Sequence, residues 1–496
     1  MPLLSDLALD ARIAARSLAD YVGGTGLRLG VTGLSRAGKT VFITALVEAL
    51  IQAGRTPSAG RRNPLPVFRV HAEGRLARAF LEPQPDDAVP RFAYEDHLAA
   101  LTGGNDGPEA RHWPESTRRI SELRLTLEFE RKSGWRSGSS SLTVDIVDYP
   151  GEWLLDLPLL AKSYAQWSQE TLEASATAAR APIAAAWRGF LKTIDPAGPA
   201  SEETARKAAD LFTAYLRASR AEKYALSTLP PGRFLMPGDL EGSPALTFAP
   251  LPVEGTAPSG SLAAMMERRY EAYKTHVVRP FFRDHFARLD RQIVLVDALS
   301  ALNSGPAAVR DLETAMTDVL MAFRAGRSSL FATLFRPRVD RILFAATKAD
   351  HLHHTSHDRL EAILRHLTAR AIARAEGVGA AVDVIALAAV RATREAAVKQ
   401  GRETLDAIVG TPLAGETVGG ELFDGTQEVA IFPGNLPADP RAVFRGDALA
   451  VPEGEADYRF VRFRPPVPQS DAAGWLPLPH IRLDRALEFL LGDRLK

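Results

Sequence analysis

The spacing of apolar and polar positions changes several times along the chain, and each change marks an element. Leu27 to Thr32 is a short apolar stretch ending in Gly33 and reads as a strand; Val41 to Gln52 then carries apolar residues at helical spacing. Ala53 to Ser121 is rich in Pro, Gly and charge, with helical patches such as Glu73 to Leu81. Leu123, Leu125, Leu127 and Phe129 alternate with Arg124, Thr126, Glu128 and Glu130, the period of a half-buried strand. Leu142, Val144 and Ile146 repeat that period after the polar loop Arg131 to Ser140, which predicts an antiparallel hairpin. Ser163 to Leu191, Ser201 to Leu226 and Met265 to Leu289 return to helical spacing, while Leu229 to Ser261 has the Pro and Gly of an extended loop or linker. Three more strands, Arg291 to Ala298, Ile342 to Ala346 and Val382 to Leu387, alternate with helices at Ala307 to Ala325 and Arg359 to Ala375. A last helix, Asp484 to Leu491, follows a Pro- and Gly-rich stretch with β-like pieces.

This order predicts an α/β fold with a mostly parallel sheet and an antiparallel edge hairpin. Residues 1–153 and 290–496 form one discontinuous domain around an inserted, mainly helical domain at 154–289. A chain of 496 residues has room for both.

Composition narrows the chemistry. The 60 basic and 60 acidic side chains cancel, which argues against a nucleic-acid or anionic-membrane partner. Cysteine is absent, so disulfides, thiolate metal sites and cysteine nucleophiles are excluded. No run reaches the roughly 18 apolar residues of a membrane span. Met1 to Val22, with Asp6, Asp10, Arg12 and Arg16 among its apolar positions, reads as an amphipathic helix docked on the protein rather than a signal peptide. The expected location is cytoplasmic.

The strongest motif is Gly33-Leu34-Ser35-Arg36-Ala37-Gly38-Lys39-Thr40, set between a strand and a helix. Its glycines let backbone amides turn toward phosphate oxygens, and the helix start at Thr40 and Val41 faces the same anion. Lys39 can reach the β- and γ-phosphates, and the Thr40 hydroxyl can bind Mg2+. Asp148-Tyr149-Pro150-Gly151 ends another strand; Asp148 suits the magnesium side, with Asp145 a weaker substitute, and Gly151 can offer its N–H to the γ-phosphate. Thr347-Lys348-Ala349-Asp350 ends a third strand, where Asp350 can accept the two N–H groups that guanine presents and adenine lacks. The stem of Lys348 can lie along the base, and Ala388-Ala389 can bring a backbone N–H, that of Ala389, to the guanine O6.

Together these strings resemble the Ras-like, G-protein class of P-loop NTPases. With Glu152-Trp153 and the terminal Pro479-His480-Ile481-Arg482-Leu483-Asp484, the whole chain resembles the bacterial YcjX-like family, a stress-associated group. The resemblance implies GTP binding with Mg2+, hydrolysis to GDP and phosphate, and segments that reorder when the γ-phosphate is lost. It leaves the protein effector or regulator unidentified. Two departures matter. Thr347 stands where Asn is usual, and Glu152 follows Gly151 where small G proteins carry a water-orienting glutamine. A carboxylate there is repelled by phosphate, so Glu152 is expected to point away, Trp153 to cover the site, and turnover to be slow. Lys39 and Asp148 lie 109 positions apart, and Asp148 and Asp350 lie 202 apart, so the motifs are widely spread. Thr117 is the candidate switch ligand to the metal, with Ser116 and Ser121 behind it. Arg36, Arg118 and Arg119 are candidates for transition-state charge.

His351, His353, His354 and His357 have a spacing at which His353 and His357 can share a helix face, but with no acidic pair nearby a polar surface is the expected reading. Arg324, Arg327, Arg336, Arg338 and Arg341 read as a solvated face. Two alternatives to a GTPase stay open: an ATPase in which Asp350 is structural, and a nucleotide-dependent interaction protein with negligible hydrolysis.

Overall fold

The structure is a computed structural model. It describes residues 26–34, 36–55, 63–84, 86–117, 119–132, 138–221, 223–253, 255–322, 339–377, 379–400, 402–445, 458–471, 474–475 and 477–496. The helix expected at Met1 to Val22, Ser35, Arg118 and four of the five clustered arginines (Arg324, Arg327, Arg336 and Arg338) lie outside the described residues.

Seven strands form the central sheet: β1 (Gly26–Gly33), β2 (Leu76–Glu82), β3 (Ser121–Glu130), β4 (Ser139–Asp148), β5 (Arg291–Val296), β6 (Arg341–Ala346) and β7 (Ala381–Ala386). Their order is β2-β3-β4-β1-β5-β6-β7. The β4-β1-β5-β6-β7 run is parallel throughout, and β2 and β3 continue it antiparallel at one edge. A mostly parallel α/β sheet with an antiparallel edge is the fold read from the sequence.

Alternation divides the strands between two cores. Leu27, Leu29 and Val31 of β1 face one side with Ile293, Leu295, Leu343, Ala345 and Ile385, against helix α1 (Lys39–Arg55) and the terminal helix Leu483–Leu491. Val294, Val296, Ile342, Phe344 and Val384 face the other. There they join one continuous core with Trp167, Trp187, Phe212, Phe248 and Tyr270 from the helical stretch between β4 and β5. Burial on both faces explains why β5 and β6 read as unbroken apolar runs.

Three expectations need correction. The stretch Glu73 to Leu81 is mainly strand, not helix: β2 pairs with β3, Leu76 and Ala79 are buried, and Arg78 meets Glu128 across the pair at 2.9 Å. Its Ala, Arg and Leu favour helix locally, and sheet pairing overrides that preference. The long helix expected over Ser163 to Leu191 is two, Tyr164–Ser175 and Ala181–Leu191, because Pro182 belongs in a first helical turn and cannot continue one. The Leu229 to Ser261 segment is not a loose linker: Phe248 is fully buried, 5.6 Å from the Trp167 ring. Beyond β7 a three-stranded sheet forms from β8 (Arg394–Gln400), β9 (Glu403–Gly410) and Val429–Ile431. It carries a small core of its own around Ile408, Ile431, Val461 and Phe463.

Candidate functional site: a phosphate loop at the carboxyl ends of parallel strands

The turn from β1 into α1 has the backbone its sequence requires. Gly38 sits at φ 81° and Arg36 at φ 62°, both left-handed, and Gly33 is hemmed in by Leu295 O, 2.9 Å from where a Cβ would lie. Gly38 O accepts the first helical bond from Phe42 N (2.8 Å), so the amides of Lys39, Thr40 and Val41 are the unpaired donors of the helix start. The Ala37 amide instead donates within the loop, to Leu34 O at 3.2 Å. Lys39 folds over the loop and donates from Nζ to Gly33 O at 3.2 Å.

Thr40, Thr117 and Asp148 converge beside it. β4 is paired with β1 so that Asp148 is opposite Val31, at the mouth of the loop. The Thr117 hydroxyl donates to Asp148 Oδ2 at 2.5 Å, lies 3.2 Å from the Thr40 hydroxyl, and Thr40 Oγ1 donates to Glu115 O at 3.4 Å. Asp148 is 1% exposed, and its Oδ1 is buried without a hydrogen-bond partner. Burial raises its carboxyl to about 6, against the opposing pull of Lys39 and the Thr117 hydroxyl. Asp145 is elsewhere, tied to Arg124 by bonds of 2.7 and 2.8 Å. Ser116 and Arg119 are exposed, and Ser121 is the first residue of β3.

Gly151 touches the phosphate loop itself. A Cβ there would lie 1.6 Å from Gly33 O, so only glycine fits. Glu152 points away, as expected, into an ion pair with Arg220 at 2.6 Å. Trp153 does not cover the site; it is buried, edge-on to Phe281, with the Arg233 guanidinium 3.2 Å from its ring centre. Arg36 is exposed and lines a cleft with Arg220, Asp297 and Leu226.

The other end of the site lies beyond β6 and β7. Lys348 has φ 61°, and its ammonium donates to Asp297 Oδ2 at 2.5 Å, fixing where its stem runs. Thr347 N donates to Val296 O at 3.0 Å. Asp350 is 4% exposed; Oδ2 accepts the Ala392 N–H at 2.8 Å and its carbonyl accepts the Thr393 hydroxyl at 2.5 Å. Ala388 pairs with Ile481 through two backbone bonds of 3.1 and 2.8 Å, leaving Ala389 next in line at the half-buried turn. The terminal Pro479 to Asp484 string thus braces the loop after β7; Asp484 also accepts Val67 N at 3.0 Å. His351 is buried against Phe463, and His357 faces Ala349 O at 2.9 Å, away from His353.

Sequence reasoning missed Arg220, Asp297, Ala392 and Thr393. Asp297 was within reach, since it follows an apolar strand as Asp148 does. Arg220 ends a charged helix face and carries no signal in the chain alone.

The model of the YcjX-like family, DUF463, matches residues 27–495. The chain is 40% identical over 481 residues to a protein of Escherichia coli K12 named Ras-like GTPase YcjX, covering 95% of this chain and 96% of the relative. It is 35% identical over 497 residues to a protein of the same name from Shewanella oneidensis, covering 97% of each. From the phosphate loop to the terminal helix, this chain belongs to the YcjX-like family.

Proposed function

We propose that the protein is a guanine-nucleotide switch that binds GTP with Mg2+ and hydrolyses it slowly to GDP and phosphate. Nucleotide state then moves the helical region 154–289 relative to a nucleotide-binding unit made of 1–153 and 290–496. The observation that carries the reading is the convergence of Thr40, Thr117 and Asp148 beside Lys39, with Asp148 Oδ1 buried and unpartnered. Two hydroxyls and a carboxylate are hard oxygen donors of the kind Mg2+ takes, and an orphaned buried oxygen has reason to meet a cation. When bound there, the ion would neutralise phosphate charge. Lys39 and the amides at the start of α1 would hold the β- and γ-phosphates, and the Gly151 N–H would report the γ-phosphate. Arg36, exposed within the loop, is the candidate for transition-state charge. Glu152 is held by Arg220 and supplies no water-orienting amide, which supports slow turnover.

The name Ras-like GTPase, carried by both relatives, supports guanine over adenine. The alternative in which Asp350 is structural rests on the Ala392 N–H, which already takes one acceptor position of its carboxylate. The stress role implied by the family resemblance fits a protein whose output is a conformational change toward an effector.

The test is displacement of a fluorescent nucleotide by GDP and ADP with Mg2+, in the parent and in Asp350→Ala. GDP should compete at least tenfold better than ADP, and Asp350→Ala should erase the preference; tighter ADP binding would overturn the guanine reading. Single-turnover hydrolysis lost on Lys39→Ala separates an enzyme from a nucleotide-ordered interaction protein, which would give no measurable turnover in the parent.

A further inference from the structure

The turn after the Thr347–Asp350 motif carries two imidazoles that meet acids far away in the chain. His353 and His354 have ring centres 4.3 Å apart. Glu395 on β8 and Asp406 on β9 come to them from the neighbouring sheet. Neither acid is close to the two histidines in sequence; the fold brings both to them.

The hydrogen bonding around His353 decides which nitrogen is bare. Its Nδ1 is 3.0 Å from Thr355 Oγ1, and the Thr355 hydroxyl donates to Asp406 Oδ2 at 3.1 Å. That hydroxyl has one proton and gives it to Asp406, so it accepts from His353 Nδ1–H, and Asp406 itself lies 3.5 Å from the same nitrogen. In the neutral ring the proton is thereby held on Nδ1 and the lone pair on Nε2. This Nε2 faces Glu395 Oε2 at 3.7 Å, too far for a hydrogen bond and with two lone pairs opposed. The same Oε2 lies 2.7 Å from His354 Nδ1. One donor atom from each of the three residues falls within 4.8 Å of the others. A cation at their centre resolves the opposition of His353 and Glu395.

We propose that His353, His354 and Glu395 bind a divalent transition-metal ion of the zinc class, with Asp406 and Thr355 as positioning residues. Two imidazoles and a carboxylate, with a carboxylate behind one imidazole, make the donor set that zinc takes with a fourth position left to water. Coordination through His354 Nδ1 puts that ring's proton on Nε2, a change of tautomer that leaves the imidazole neutral. The ion ties the turn after Asp350 to the β8–β9 sheet. His357, the helical partner that spacing suggests, takes no part, because its Nε2 is engaged with Ala349 O.

The experiment is calorimetric titration of chelator-treated protein with Zn2+ in the absence of nucleotide, and with Co2+ followed by visible absorption. One equivalent should bind, with the absorption of a four-coordinate ion. Glu395→Gln and His354→Ala should each weaken binding at least tenfold. Asp406→Asn should weaken it about 10- to 100-fold without touching the ion. Zn2+ should raise the melting temperature of the parent and not that of the His353→Ala/His354→Ala double variant. Failure of one equivalent to bind, or equal affinity in the double variant, overturns the proposal. Matching melting curves for all variants in chelator show that each has folded.

Discussion

A single buried oxygen does most to define the site. Asp148 is deprived of water, and its carboxyl is raised from the ordinary 3.8 to about 6. The folded state therefore holds this proton more tightly than the unfolded chain. The contribution to stability is fully present below pH 4 and falls as the pH rises to about 6, after which the ionised group costs on the order of 3 kcal/mol. Asp148→Asn removes that cost, so the nucleotide-free variant should melt higher than the parent at pH 8, with the gain vanishing toward pH 4. Mg2+ with GDP should stabilise the parent and not this variant. Thermal melts at the two pH values, with and without Mg2+ and GDP, read both signs; an Asn variant that melts lower at pH 8 would show that the charge is already compensated. Gly151 sets the second limit at this scale. Any side chain there collides with Gly33 O, so Gly151→Ala must part the two loops. GDP affinity should stay within about threefold, because none of the groups proposed to hold the phosphates is removed, while single-turnover hydrolysis falls at least tenfold, about 1.4 kcal/mol of barrier.

Between the strands, the segment Gly151–Ala161 links the phosphate loop to the helical region. Glu152 pairs with Arg220, the last residue of helix Glu202–Arg220. Asp156 accepts Gly232 N and the Tyr273 hydroxyl, both at 2.7 Å, and burial raises its carboxyl to about 7. These contacts explain what the sequence could and could not disclose. Gly33 to Thr40 and the alternations at 123–129 and 142–146 are local, and pattern alone located them. The ends of β4 and β6 marked Asp148 and Asp350 because a strand that stops at an acid is also a local event. Arg220, Ala392 and the β2 edge depend on partners dozens of residues away, and no short window of the chain contains that information. The Glu152–Arg220 pair yields a prediction that follows from its direction. Glu152→Gln restores the small-G-protein residue type, yet the side chain still faces Arg220 and not the phosphate. Single-turnover hydrolysis should stay within about threefold of the parent; an acceleration toward activator-stimulated rates would mean that position 152 swings to the nucleotide.

Across the whole molecule, the helical stretch between β4 and β5 has no core separate from the sheet. Val294, Val296, Phe344 and Tyr149 belong to the same buried cluster as Trp167, Phe212 and Tyr270. A displacement of Gly151–Ala161 should therefore pass through packed side chains and through Glu152 and Asp156, which have partners in the insertion. The β8–β9 sheet differs: its core is Ile408, Ile431, Val461 and Phe463, and it meets the site through Asp350 and the turn after it and through the Trp113 indole N–H, which donates to Phe463 O at 2.6 Å. Exchange of the γ-phosphate for water should then be felt unequally. Hydrogen exchange compared between GDP and a non-hydrolysable GTP analogue should change protection in 151–161 and in 202–235, with β9 little altered. Changes confined to the phosphate loop would sever the helical region from the nucleotide and leave it a static scaffold. Changes as large in β9 as in 202–235 would instead place the output at the base end, where Asp350 meets Ala392.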